Sequence, residues 1–348
     1  HWVFFVNLPF GAITVIGLII FMDETKLDTK LQFDWLGFAA LAVGIGALQL
    51  ALDRGEQLDW FNSWEIVIEF IVSGVGFYYF FAHSFTTDRP FIQFAIFKDK
   101  NFAAGCGFMV VIGVVLFSTM ALASPLFQNA FGYPILTAGL LLATRGSGTF
   151  VAMMMVSRLM KYFEAKYLIA TGLILIAVTL YDMTGWTADT QVKTIVINSV
   201  IQGFGLGLVF VPLTTAAFLT LPNHLRTDGT SMLTLIRNVA SSIGISIVIA
   251  QLTRGTIHAH AVLAEHVTPF NNALQMPNVT GIINLQTDTG RAMMDAILYA
   301  QAQIISFSQD FELVTLVTLC AIPLAFIMGS TKASMRNPGA SDHAAVME

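Results

Sequence analysis

Long apolar runs alternate with short polar connections along the whole chain. A helix needs about 20 predominantly apolar residues to cross the hydrocarbon core of a bilayer, and nine runs are of about that length. The predicted spans are residues 2–22, 33–53, 63–85, 101–128, 134–158, 166–186, 191–219, 231–253 and 310–330. This pattern predicts an all-α integral membrane protein with nine transmembrane helices.

One connection, residues 254–309, is much longer than the others. We predict weak structure through Asn278. An amphipathic helix over about 290–309, with Met293 and Ile297 on its apolar face, can then run directly into the last span. The chain begins at His1, just before the first span and without an initiator Met, so we expect it to be a portion of a longer protein.

The composition supports a membrane protein and excludes several other classes. Only 11% of the 348 residues are charged, whereas soluble domains carry about 25%. A net charge of -5 without a basic arm predicts no nucleic-acid partner. Neither a catalytic metal motif nor a phosphate-binding loop is present, so we expect neither an enzyme nor ATP-driven transport. His258, His260 and His266 cluster in the long connection, either as solvated side chains or as metal ligands.

The distribution of Lys and Arg predicts the orientation of the chain. If residue 1 lies outside, eleven basic residues fall in inside segments and four in outside segments. The inside group is Lys26, Lys30, Arg89, Lys98, Lys100, Arg158, Lys161, Lys166, Arg226, Lys332 and Arg336, and the outside group is Arg54, Lys193, Arg254 and Arg291. We therefore predict an external 254–309 connection and a cytoplasmic C-terminus.

Three charged side chains lie deeper than the terminal turns of predicted spans, where charge is costly and commonly functional. Arg145 lies about 16 Å along the fifth span at 1.5 Å per residue, and we expect it to face a carboxylate or a water-filled cavity. Arg237, beside Asn238, either faces the bundle interior or extends to the lipid headgroups. Glu69, about two turns into the third span, is a candidate for proton exchange.

Asn198 and Gln202 are four residues apart and share one face of the seventh span. Gly203, Gly205 and Gly207 follow them. Small residues let helices approach closely, so we predict close helix packing beside a polar stripe that lines a cavity. Asn238 is a third candidate for that cavity lining.

Several stretches, in order along the chain, resemble motifs of one family, the 14-helix drug:proton antiporters of the major facilitator superfamily (EmrB/QacA type). The opening residues 1–11 look like the start of that family's sixth helix, with His1 in place of an arginine. Residues 229–244 are similar to its penultimate-helix motif, except at Thr234 and Ala240. Further similar stretches are Leu52–Gly55, Asp59–Phe61, Gly132–Tyr133, Ala138–Gly146, Gln301–Ala302 and Asp310–Phe311.

The resemblance implies helices 6–14 of a 14-helix bundle and proton-driven export of lipophilic or amphipathic compounds across the cytoplasmic (inner) membrane. It implies no cofactor beyond the proton gradient. It also suggests a periplasmic adaptor and an outer-membrane channel as partners. The expected units are residues 1–22 (last helix of an N-terminal bundle), 23–100 (two linker helices), 101–330 (a six-helix bundle that includes 254–309) and 331–348 (a cytoplasmic tail).

Residues 157–166 correspond to the superfamily's gating loop, here with Arg158, Lys161 and Lys166 as its basic residues. Lys161 stands where that loop has Asp and Glu164 where it has Gly, which puts its usual salt-bridge latch in doubt. Two other functions stay open. One is a dedicated exporter or importer, for example of a siderophore or an organic acid. The other is a membrane scaffold or sensor that does not transport.

Overall fold

The computed structural model describes residues 2–21, 33–87, 90–222, 225–268, 271 and 283–326. It is all-α within these ranges, as predicted, and its long helices follow the nine predicted spans in order. They are α1 (Trp2–Phe21), α2 (Trp35–Arg54), α3 (Trp64–Thr86), α4 (Lys100–Pro125), α5 (Ile135–Tyr162), α6 (Ala165–Thr184), α7 (Val192–Leu219), α8 (Arg226–Glu265) and α9 (Asp288–Ala325). A π-helical turn, Leu126–Ala130, follows α4.

The described residues belong to two compact units, His1–Trp35 and Leu36–Glu348. The first contains α1, an apolar helix with Pro9 in its interior. In the second, the helices from α2 to α9 are all long and apolar enough to cross a membrane. Large apolar side chains point outward from them, for example Trp64 (80% exposed) and Ile135 (77%). Water would penalise such a surface, whereas lipid tails cover it without cost.

Helices α4 to α9 pack as two inverted three-helix repeats. Helix α4 packs on α8 as α7 packs on α5, and α9 contacts α4 as α6 contacts α7. The pairs α4–α7 and α6–α9 complete the bundle. Because α4 and α7 are three spans apart, they run in opposite directions, which is the arrangement of an inverted repeat.

Glycines set the distance between α5 and α7, as the sequence predicted. A Cβ on Gly203 would collide with the backbone carbonyl of Arg145, and one on Gly148 would collide with that of Val200. Gly205 faces the other neighbour, since a Cβ there would lie 2.8 Å from the carbonyl oxygen of Gly172 on α6. Helix α7 is therefore held between α5 and α6 at backbone contact.

Helices α2 and α3 form a hairpin whose close packing also depends on glycines. A Cβ on Gly76 would lie 2.7 Å from the Cα of Gly44, and the Ser73 hydroxyl donates to the Gly44 carbonyl at 2.9 Å. The hairpin also contacts the bundle: Ser242 of α8 donates to Oε1 of Gln49, and Leu41 and Phe80 belong to the same buried apolar cluster as residues of the bundle.

Helices α8 and α9 are much longer than a bilayer requires. Their 40 and 38 residues correspond to about 60 and 57 Å, against a hydrocarbon core of about 30 Å. The amphipathic segment does run into the last span, as predicted. The prediction of weak structure from residue 254 onward was wrong, because α8 continues to Glu265 and packs against α9. Asn278 and the tail 331–348 lie outside the described residues.

We expect Gly203→Ala to lower the melting temperature of the purified protein in detergent. The added Cβ meets backbone rather than a movable side chain, and overpacking of this kind costs about 1–3 kcal/mol. Gly146→Ala on α5 is the matched control, since a Cβ there meets nothing within 4 Å. Equal melting temperatures for the two variants would show that α5 and α7 do not approach at Gly203.

Candidate functional site

A small apolar cavity lies between α4, α5, α6 and α7, in the middle of the bundle. It leaves about 20 Å³ for the centres of water molecules, which is room for about one water. Arg145 is its only charged lining residue within the part of the chain that the structure describes. The lining residues are Val111, Ile112, Val115, Leu116, Thr119, Arg145, Leu173, Ile176, Gln202 and Leu206.

Arg145 and Gln202 meet at this cavity. The half-buried guanidinium of Arg145 donates through Nη2 to Oε1 of Gln202. The close approach of α5 and α7 produces the contact, because Gly203, next to Gln202, lies against the Arg145 carbonyl. A cavity was expected beside Arg145 and is present. The partner of Arg145 among the described residues is a neutral amide rather than a carboxylate. The positive charge of Arg145 is thus oriented by Gln202 without being neutralised.

Asn198 lies one turn before Gln202 but binds at a different place. Its Nδ2 donates to the Thr179 carbonyl and to Oδ2 of Asp182, each at 2.9 Å. Nε1 of Trp186 donates to the same Asp182 oxygen at 3.2 Å. These bonds join α6 to α7 near Thr184. The sequence grouped Asn198 with Gln202, yet in the structure only Gln202 is at the cavity.

Arg237 occupies the position of Arg145 in the other repeat. A Cβ on Gly113 of α4 would lie 2.5 Å from the Arg237 carbonyl, just as one on Gly203 would meet that of Arg145. The residue before Gly113 is Ile112, where α7 has Gln202. Arg237 therefore lacks the equivalent amide, and its buried Nε has no hydrogen-bond partner among the described residues.

The remaining predicted site residues are dispersed. Asn238 is exposed on α8. Glu69 is half-buried on α3, and its Oε2 has no hydrogen-bond partner in the described chain. Arg158 and Lys161 are exposed in the last turns of α5. Lys166 pairs with Glu164 at 2.7 Å.

The histidines of the long connection lie near or just beyond the C-terminal end of α8. His260 lies on α8, and its Nε2 is 2.9 Å from Oδ1 of Asp295 on α9. The described residues contain no group of three or more His, Cys, Asp or Glu that could hold a metal ion.

The sequence pattern missed Asp310 as a site residue. Its side chain is fully buried, and neither carboxyl oxygen has a hydrogen-bond partner in the described part of the chain. The predicted span began at Asp310, which suggested a solvated helix end. Because α9 begins at Asp288, Asp310 lies about six turns inside the helix. The amphipathic pattern over 290–309 was the signal that could have indicated this.

We predict that Arg145 and Gln202 are energetically coupled. In a double-mutant cycle with Arg145→Met and Gln202→Leu, followed by denaturant unfolding, the coupling energy should be about 1.5–3 kcal/mol, as expected for a hydrogen bond to a charged group. The single variant Gln202→Leu should be the least stable, because it leaves the arginine without its partner. Additive effects would contradict the contact.

Comparison with known proteins gives several similar transporters. The chain is 32% identical over 277 residues to the multidrug export protein EmrB of Escherichia coli K12, which covers 78% of this chain and 53% of that protein. It is 30% identical to the fatty acid resistance protein FarB of Neisseria gonorrhoeae (78% and 54%) and 25% identical to the lincomycin resistance protein LmrB of Listeria monocytogenes (77% and 57%). The chain thus spans about half the length of these relatives.

A solved structure and a family model also match this chain. The bundle is similar to the crystal structure of a bacterial homologue of the human lysosomal transporter Spinster in an inward-facing, occupied conformation. The TM-score is 0.51 at 14% identity, over 84% of this chain and 66% of that one. Residues 1–245 match the family model of the Major Facilitator Superfamily. The chain is a multi-pass membrane protein that belongs to the Major Facilitator Superfamily.

Proposed function

We propose that the chain forms the C-terminal part of a multidrug exporter that exchanges lipophilic or amphipathic compounds for protons across the cytoplasmic membrane. The observation that carries this proposal is the Arg145–Gln202 pair, a polar contact that places a charged group at an apolar cavity. Apolar walls with one or two oriented polar groups are typical of small-molecule sites. The similarity to EmrB, FarB and LmrB supports efflux as the direction of transport.

The proposed mechanism is alternating access. A cavity with room for about one water cannot hold a drug-sized molecule, so the site has to enlarge during the transport cycle. In this proposal 1–22 closes an N-terminal bundle, 23–100 forms the linker helices, 101–330 is the six-helix transport bundle and 331–348 the tail. Helices α2 and α3 pack on each other at Gly44 and Gly76 and meet α8 through Gln49 and Ser242, which supports a linker hairpin at the side of that bundle.

The orientation in this proposal follows the basic residues, with residue 1 outside and the C-terminus in the cytoplasm. The end of the bundle at Thr184, where α8 and α9 extend farthest, then faces outward. A projection of two packed helices offers a surface for a periplasmic adaptor and, through it, an outer-membrane channel. Arg158, Lys161 and Lys166 lie at the opposite, cytoplasmic end, as a gating loop requires.

The other candidate residues have roles in the same scheme. Ile112 of α4 stands where Arg145 has Gln202 as its partner, so Arg237 is suited to an interaction with a carboxylate on the other bundle or with substrate. Asn238, exposed beside it, would face the same space. Glu69 would exchange protons in the linker hairpin.

The test is efflux by the longest reading frame that contains this sequence, expressed in a strain without its own exporters. We expect resistance to lipophilic drugs, stronger for anionic than for cationic compounds because the charged group at the cavity is positive. Dissipation of the proton gradient should abolish efflux. Resistance to a single solute would favour a dedicated transporter, and no efflux from a correctly folded protein would favour the scaffold.

Arg145→Ala should reduce efflux per folded molecule by about tenfold or more. The loss of a charge-assisted contact of about 1.5–3 kcal/mol corresponds to that factor. Arg254→Ala is the matched control, since Arg254 is exposed on α8 and should leave efflux unchanged. Surface expression has to be measured for both variants. If Arg145→Ala kept full efflux at equal expression, the proposed role of Arg145 would be wrong.

A further inference from the structure

Asp310 lies at a joint between three helices. Two residues before it, the hydroxyl of Ser308 donates to the Thr184 carbonyl at the end of α6. On the side of α8, a Cβ on Gly255 would lie 3.0 Å from Oγ of Ser306 and 3.7 Å from Oε1 of Gln309. Asp310 is therefore held close to α6 and α8, near the Thr184 end of the bundle.

Among the described residues, no group at this joint forms a hydrogen bond or an ion pair with the carboxyl group of Asp310. The titratable groups closest in register are Asp182 on α6 and Arg254 and His258 on α8, and all three side chains are exposed. Asp182 is engaged by Asn198 and Trp186. The π-turn Leu126–Ala130 has no titratable residue, and α4 carries Lys100 at its first residue and Cys106 in its second turn.

An isolated carboxylate in such a place is strongly disfavoured. Removing an unpaired charge from water costs many kcal/mol in a medium of low polarity, so a group of this kind neutralises instead. Both Asp310 oxygens are buried and lack hydrogen-bond partners among the described residues. The packing seen here accommodates a protonated Asp310 and excludes an ionised one.

We propose that Asp310 is a proton-binding site and that its protonation holds α9 against α6 and α8 at the Thr184 end. When these helices separate, water reaches the carboxyl group and exchanges the proton with it. The ionised form needs that water and so favours the separated helices, while the neutral acid favours the sealed joint. The two states differ in their affinity for the proton, which is the condition for a ligand to shift a conformational equilibrium.

This inference deepens the proposed function, because a proton-coupled exporter needs a residue whose protonation changes access to one end of the bundle. It does not depend on drug efflux. The decisive measurement uses purified protein in liposomes, so that a failure of this inference and a failure of efflux are distinguishable.

The experiment is infrared spectroscopy of the carboxyl C=O stretch at neutral pH. Ordinary Asp and Glu side chains are ionised there, since their unperturbed pKa values are about 4. We expect the wild-type protein to show a protonated-carboxyl band, and Asp310→Asn to remove it. Glu312→Gln is the matched control, because Glu312 is exposed two residues away, and Glu69→Gln separates any contribution from Glu69. A band that persists in Asp310→Asn overturns the proposal.

A second measurement tests the coupling to packing. Raising the pH from 6 to 9 should lower the melting temperature of the wild type and of Glu312→Gln, because the sealed joint loses its proton. Asp310→Asn and Asp310→Leu should lose this part of the pH dependence, since neither side chain ionises. If neither variant folds while the wild type does, Asp310 is required as a charge and the proposal is wrong.

Discussion

The approach of α5 to α7 at backbone contact is the constraint on which the site depends. It exists because Gly148 and Gly203 have no side chain where the two helices cross. Only at that distance does the guanidinium of Arg145 reach the Gln202 amide. A charge in the interior of a membrane bundle is tolerated when it is oriented and hydrogen-bonded. The close packing of α5 and α7 is therefore also what allows Arg145 to be hydrogen-bonded.

A glycine lies against an arginine carbonyl at both equivalent positions of the inverted repeat, but only one of the two arginines has an amide partner. Gly113 admits the Arg237 carbonyl as Gly203 admits that of Arg145, but Ile112 stands where Gln202 would be needed. One arginine is therefore satisfied by an amide on the facing repeat, whereas Nε of the other lacks a hydrogen-bond partner among the described residues. Such asymmetry on a symmetric frame suits a transporter, since the two repeats can then respond to different ligands.

Polar groups away from the cavity join helices near the Thr184 end. The Asn198–Asp182–Trp186 bonds connect α6 to α7, and the Ser308–Thr184 bond connects α9 to α6. Asp310 lies beside these contacts without taking part in them. Under the proposal for Asp310, this joint is stable when the carboxyl group is protonated and less stable when it is ionised.

The sequence by itself determined the number, order and type of the helices. A bilayer requires each span to have a certain length and apolarity, and both are local properties of the sequence. It also indicated the close packing at Gly203, Gly205 and Gly207. The partners of Arg145 and Asn198 and the burial of Asp310 were decided only by the tertiary structure. They depend on how each helix is rotated and where it ends, and those variables are set by contacts between spans far apart in the chain. The same reason explains α8, whose polar continuation to Glu265 is stabilised by α9 rather than by its own hydrophobicity.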